Sequence, residues 1–397
     1  MSVYGRLSVE GGAATVRRRS RDLDAMRAIA VLMVLAGHAY AIGGAIPAHT
    51  STAPTDMVVN AGGAGIWLFF ALSGYLIALP FLRALLRGEP LPDGGRYAVR
   101  RAARILPAYW IALFVLLLLL PVAGLEWWQP LVHVALLHNL FPGEGQALFF
   151  VAWTLGIEAL FYAFVPLAAL AVRRLAGPRA LPARTLLLGV LALWAASVAW
   201  TVVAAVGWPG QGLEAVRWAD VTRLSLPALL SAFCPGLLVA VAQESDAPWL
   251  RRIGARPVAA LAAAVALAAG GMLLYTAGNS VVFDLSHQLW SLAAGLVLVV
   301  ALAGWGPAGR PLRLLGPIGL ISYGLYLWHY VVTRLLLDQG VSIQAGGLSW
   351  PVRIAVVLAL AVPLATASWL LVERPLLRRT ARWWERRSTT VPATSPA

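Results

Sequence analysis

The sequence contains no lysine and a single cysteine, Cys234. Without a second cysteine there is no intrachain disulfide and no thiolate-based metal site. Acidic residues are scarce, and charged residues of all kinds make up 12% of the chain, against about 25% in an ordinary soluble domain. That supply of charge cannot cover a water-soluble domain of 397 residues. What is present instead is 60% hydrophobic residues, a mean hydropathy of +0.77 and long apolar runs. This is the composition of a polytopic membrane protein. The basic residues behind the formal charge of +14 are all arginine, in short clusters between the apolar runs. Such clusters follow membrane topology rather than a nucleic-acid-binding face, so no nucleic-acid partner is expected.

Segments near 25–45, 62–83, 105–123, 148–171, 185–206, 224–243, 257–276, 284–303, 314–336 and 352–373 each have the length and apolarity to span a bilayer. The segment 224–243 fits least well, because it contains Pro227 and Pro235. A shorter apolar stretch, 131–140, reads as a re-entrant or interfacial helix. If the N-terminal tail faces the cytoplasm, 27 of the 31 arginines fall on the cytoplasmic side; Arg217, Arg223, Arg334 and Arg353 do not. The expected fold is therefore all-α: a transmembrane bundle of about ten spanning helices with both termini cytoplasmic, multi-pass in the cell membrane. Residues 1–22 read as a basic cytoplasmic tail, 23–375 as the transmembrane domain, and 376–397 as a basic, disordered cytoplasmic tail.

Ionisable residues inside spans are expensive, so each one is a functional candidate. His38, Glu158 and His329 fall at comparable depth in the outer half of the expected bilayer. A histidine beside a carboxylate suits general-base chemistry, because the carboxylate can orient the imidazole and stabilise its charged form. Arg27 lies eleven residues before His38. On a helix this is close to three turns, so both side chains share a face, roughly 16 Å apart along the axis. Arg101 and Arg104 lie at i, i+3 at the mouth of the third expected span. With Arg27 they form a candidate anion site, since guanidinium groups bind phosphate in a bidentate manner. Asp24 is placed to pair with Arg27. His133 and His138 fall in an outer connection compatible with solvation, and His49 and His287 carry no signal beyond their outer position. Two histidines and one glutamate do not supply a zinc set, so no metal is expected.

Six stretches in order resemble the membrane-bound acyltransferase-3 family, whose members O-acylate sugars and other hydroxyl compounds. They are L-D-A-M-R-A-I-A-V-L-M-V-L-A-G-H at 23–38, F-F-A-L-S-G-Y-L-I at 69–77, R-A-A-R at 101–104 followed by Pro107 and Tyr109, W-T-L-G-I-E-A-L-F-Y at 153–162, I-S-Y-G-L-Y-L-W-H at 321–329 and S-W-L-L-V-E-R-P at 368–375. Thr154 replaces the family's usual serine, and Ala159 follows Glu158 where a second acid is common. The resemblance implies transfer of an acyl group, taken as acetyl, from cytoplasmic acyl-CoA to a hydroxyl of a glycan, lipid-linked sugar or secondary metabolite. In that reading Arg27, Arg101 and Arg104 hold the donor phosphates, His38 is the base, and Glu158 orients it. His329, Tyr326, Trp153, Asn139 and Ser73 are candidate lining residues. The rival reading is a transporter or flippase using the buried His and Glu as a proton relay, and a third is an assembly scaffold without catalysis.

Overall fold

The computed structural model describes residues 9–41, 53–119, 125–206, 221–277, 280–338 and 349–389. The apolar runs form helices because a helix satisfies every backbone polar group internally, which a chain in hydrocarbon must do. The main helices are α1 (Val9–Ala41), α2 (Pro54–Gly62), α3 (Gly65–Arg87), α4 (Gly94–Leu119), α5 (Gln129–Val134), α6 (Trp153–Ala176), α7 (Ala183–Val206), α8 (Leu226–Glu244), α9 (Pro257–Tyr275), α10 (Ser280–Leu302), α11 (Ser322–Asp338), α12 (Trp350–Ser368) and α13 (Arg374–Thr389). Among the described residues there is no strand, and nine helices are long and apolar enough to cross a membrane. The ninth expected span, 314–336, is divided into a short helix, Gly316–Leu320, and the 17-residue α11. Outward faces carry exposed apolar side chains such as Phe114, Leu167, Leu188 and Val265, which suit lipid and would be untenable in water.

One expectation is met and another is corrected. The proline-containing segment 224–243 forms α8, the span with the largest buried share. Pro227 sits in its first turn, where the missing N–H costs nothing, and Ser225 caps that end by accepting from the Ala228 N–H. Gly236 packs against the Ala71 carbonyl of α3, and Gly74 of α3 packs against the Phe233 carbonyl of α8. A side chain at either glycine would collide with backbone, so the two helices cross at a distance that only small residues allow. The correction concerns the C-terminal tail. Residues 374–389 are helical, continuing from α12 through a π-turn at Trp369–Glu373, rather than disordered. Residues 390–397 lie outside the described residues, as does His49.

Two apolar clusters make up the core. One centres on α3, α8 and α10, and the other on α4, α11, α12 and the 149–155 segment. Helix α1 lies on the seam. Its Ala25, Met26 and Ala30 join the first cluster, and its Val31, Val34, Leu35 and Ala39 join the second. Both ends of its membrane-embedded part are clamped. At one end, Arg313 pairs with Asp22 at 2.6 Å and the Trp305 indole donates to the Asp22 carbonyl. At the other, Trp350 donates to the Ala36 carbonyl and Arg353 to that of Tyr40. This rigid helix carries both Arg27 and His38.

Candidate active site

Two cavities open along the seam. The smaller, about 140 Å³, is lined by Arg27, Arg101, Arg104, Ser73, Glu158 and Tyr162, among others. The larger, about 750 Å³, is lined by His38, Trp153, Tyr330, Trp67 and a polar group on α10. Ile66 and Tyr326 line both, so these two side chains form part of the partition. The Tyr326 hydroxyl is held by Thr154 Oγ1 at 2.8 Å and donates to the Val151 carbonyl at 2.9 Å.

His38 meets His329, not Glu158. Nδ1 of His38 lies 2.8 Å from Nε2 of His329, and the two ring planes differ by only 2°. Nδ1 of the buried His329 lies 3.1 Å from the Leu325 carbonyl, which can only accept. That nitrogen therefore carries a proton, and in the neutral ring Nε2 must be an acceptor. It follows that His38 donates from Nδ1, leaving Nε2 of His38 with a free lone pair. Among the described residues that atom has no hydrogen-bond partner, and it is not among the sealed orphan atoms. The dyad is the arrangement of an oriented general base, with a neutral imidazole in the orienting position.

Glu158 occupies the arginine cavity. Its Oε1 accepts from Ser73 and from Tyr162, each at 2.7 Å. The expectation that Glu158 orients His38 is thereby corrected. Helix α6 carries Trp153 in the larger cavity and Glu158 in the smaller, five residues further along. Arg101 faces the rings of Tyr97 and Tyr162 at 5.5 and 5.3 Å. Arg27 pairs with Asp24, so part of its charge is already balanced. Asn139 lines neither cavity. Its buried amide donates to the carbonyls of Trp153 and Leu224 and braces two segments together. Sequence reasoning missed Tyr162, although it stands one turn after Glu158, and it missed the wall of the larger cavity formed by Arg223, Asp284 and His287.

The connection between α4 and α6 covers this region with a buried histidine pair. His133 and His138 stack at 4.4 Å, and Nε2 of His133 lies 3.4 Å from Oε2 of the buried Glu144. They are fully buried rather than solvated. Burial pushes the His133 imidazole down to about 4, and burial with its neighbour pushes His138 down to about 3. Unfolded histidines protonate near pH 6.5. The stability this pair contributes is therefore full above that value and is lost as pH falls towards 4. Amide exchange across 129–144 is expected to accelerate as pH drops through that window, after correction for intrinsic rates; unchanged protection would contradict the buried neutral pair.

A family model described as an acyltransferase domain matches residues 20–370. A protein provisionally named as the membrane-bound transacylase BcsY, of Komagataeibacter xylinus, is 28% identical, with 90% of this chain and 83% of the relative aligned. The exopolysaccharide production protein ExoZ of Rhizobium meliloti is 27% identical, covering 80% and 90%. A protein of Bacillus subtilis provisionally named as the peptidoglycan O-acetyltransferase YrhL is 25% identical, covering 92% of this chain and 56% of its own length. No solved structure matches.

Proposed function

The chain belongs to the membrane-bound acyltransferase-3 family, and from that premise we propose that it moves an acyl group from cytoplasmic acyl-CoA to a hydroxyl of a glycan or similar acceptor, with His38 as general base. The observation that carries this reading is the pair of cavities on one helix: three arginines line one, and an unpartnered imidazole nitrogen opens on the other. The cationic cavity suits the phosphates of a nucleotide-linked donor. The arginine-rich end of the bundle is the cytoplasmic one by the positive-inside rule. The extended pantetheine arm passes Ile66 and Tyr326 and brings its thioester to His38. Residues 27 and 38 are about 16 Å apart on the helix axis, a span that arm can bridge.

In the reaction, Nε2 of His38 takes the proton of the acceptor hydroxyl as its oxygen attacks the thioester carbon. The C–S bond breaks, and the departing thiolate recovers the proton from His38. His329 holds the His38 ring in the tautomer that leaves Nε2 free. The rest of the larger cavity, aromatic-lined beyond the donor's acyl end, suits a saccharide, and the names of the relatives agree with acceptors of polysaccharide or peptidoglycan type. Membranes containing the protein, given acetyl-CoA labelled in the acetyl group, are expected to transfer label to extractable glycan. Absence of transfer with intact protein would overturn the reading in favour of a transporter.

A further inference from the structure

The wall of the larger cavity carries a second polar centre that the acyl-transfer step does not use. Asp284 and His287 lie three residues apart on one face of α10. Arg223, at the start of the segment leading into α8, reaches Asp284 across the cavity rim. Its Nε lies 3.2 Å from Oδ2 of Asp284, which is only 5% exposed. Arg223 Nε and Asp284 Oδ2 face each other as an enclosed ion pair, and both residues line the cavity. The ring of His287 is fixed by aromatic neighbours, Trp67 at 4.7 Å and Phe283 at 5.2 Å, while among the described residues its nitrogens have no hydrogen-bond partner. The adjacent Gln288 is held in place by Trp194 and Ser231.

Arg223 and Asp284 are in contact and His287 stands about one turn from Asp284 on α10, so the cavity wall offers a guanidinium donor, a carboxylate acceptor and an imidazole. A vicinal diol complements that set: one hydroxyl accepts from Arg223 while donating to Asp284, and its neighbour donates to His287. We infer that Arg223, Asp284 and His287 bind a vicinal diol of the acceptor and so fix which hydroxyl reaches His38. This rests on the reading of the larger cavity as the acceptor side. In that arrangement the three are positioning residues, and they act on acceptor recognition rather than on the bond-making step.

The test uses the full-length protein in nanodiscs and saturation-transfer NMR with two probes, methyl β-D-glucopyranoside and its 3-deoxy derivative, which lacks every vicinal pair. Wild type is expected to bind the glucoside ~10–100-fold more tightly than the deoxy sugar, the value of one or more charge-assisted hydrogen bonds. Arg223→Gln and Asp284→Asn are expected to abolish that preference. Because breaking the ion pair could impair folding, His287→Phe, which keeps the ring packing, is measured beside them and is expected to reduce the preference several-fold. His38→Ala is expected to retain it in full. Equal binding of both sugars by wild type, no binding of either, or a preference that survives in all three wall variants would overturn the inference. If His38→Ala keeps the diol preference and also still transfers acetyl, the base assignment falls while the diol site stands.

Discussion

Alanine at position 38 is expected to lower acyl transfer by about 10²–10⁴-fold, the usual contribution of a positioned general base. The lone pair on Nε2 of His38 is the unpartnered basic site of the dyad, and no hydrogen bond from the described residues competes for it. Removing the side chain takes away the proton acceptor, while the arginine cavity, about three turns away along α1, stays intact. Donor binding, followed by calorimetry with CoA, should therefore be unchanged. His329→Phe provides the companion measurement. It leaves Nε2 of His38 in place but removes the acceptor that fixes the tautomer, so kcat should fall by less than in His38→Ala. A His38→Ala enzyme with wild-type turnover would remove the imidazole from the chemistry.

The second large effect concerns the donor. Arg101→Gln combined with Arg104→Gln is expected to weaken CoA binding by about 100-fold or more, because each charge-assisted hydrogen bond contributes about 1.5–3 kcal/mol. Both guanidinium groups line the smaller cavity with Arg27, whose charge Asp24 partly balances. The single change Arg27→Gln should therefore cost less than the double change. Glu158 shares this cavity and would repel phosphate, but Ser73 and Tyr162 both donate to its carboxylate and hold it against the wall. Wild-type binding should also weaken as salt rises, and the double variant should respond less. Unchanged CoA affinity in the double variant would move the donor elsewhere.

Much of this architecture was legible in the sequence, and for definite reasons. Apolar runs of span length fix helices in a bilayer, so the bundle follows from composition alone. Arg27 and His38 are on one helix, where 3.6-residue periodicity fixes their relation without knowledge of any neighbour. Glu158 is different. Its distance from His38 depends on how α6 slides against α1, and a shift of one turn carries a side chain 5.4 Å along the axis. Depth counted from span ends has an error of that order, so the carboxylate was paired with the wrong cavity. His329 was visible as a buried ionisable residue, but only the packing of α11 against α1 reveals its partner. The prolines make 224–243 the least well fitting span in sequence, because nothing local indicates that Gly236 and Gly74 allow α3 so near. His133 and His138 were read as compatible with solvation because burial of a connection depends on its neighbours, here including the Tyr109 hydroxyl that donates to the His133 carbonyl. The Arg223–Asp284 pair joins residues 61 positions apart, and no periodicity predicts it.

The central claim is that one donor molecule occupies both cavities, with its phosphates on the arginines and its acyl end at His38. An electron cryo-microscopy map of the protein in nanodiscs with a non-hydrolysable thioether analogue of acetyl-CoA addresses this directly. The account predicts phosphate density against Arg27, Arg101 and Arg104, an arm running past a displaced Tyr326, and an acyl carbonyl within reach of Nε2 of His38. An analogue bound with its acyl end away from His38, or bound wholly outside the arginine cavity, would contradict it.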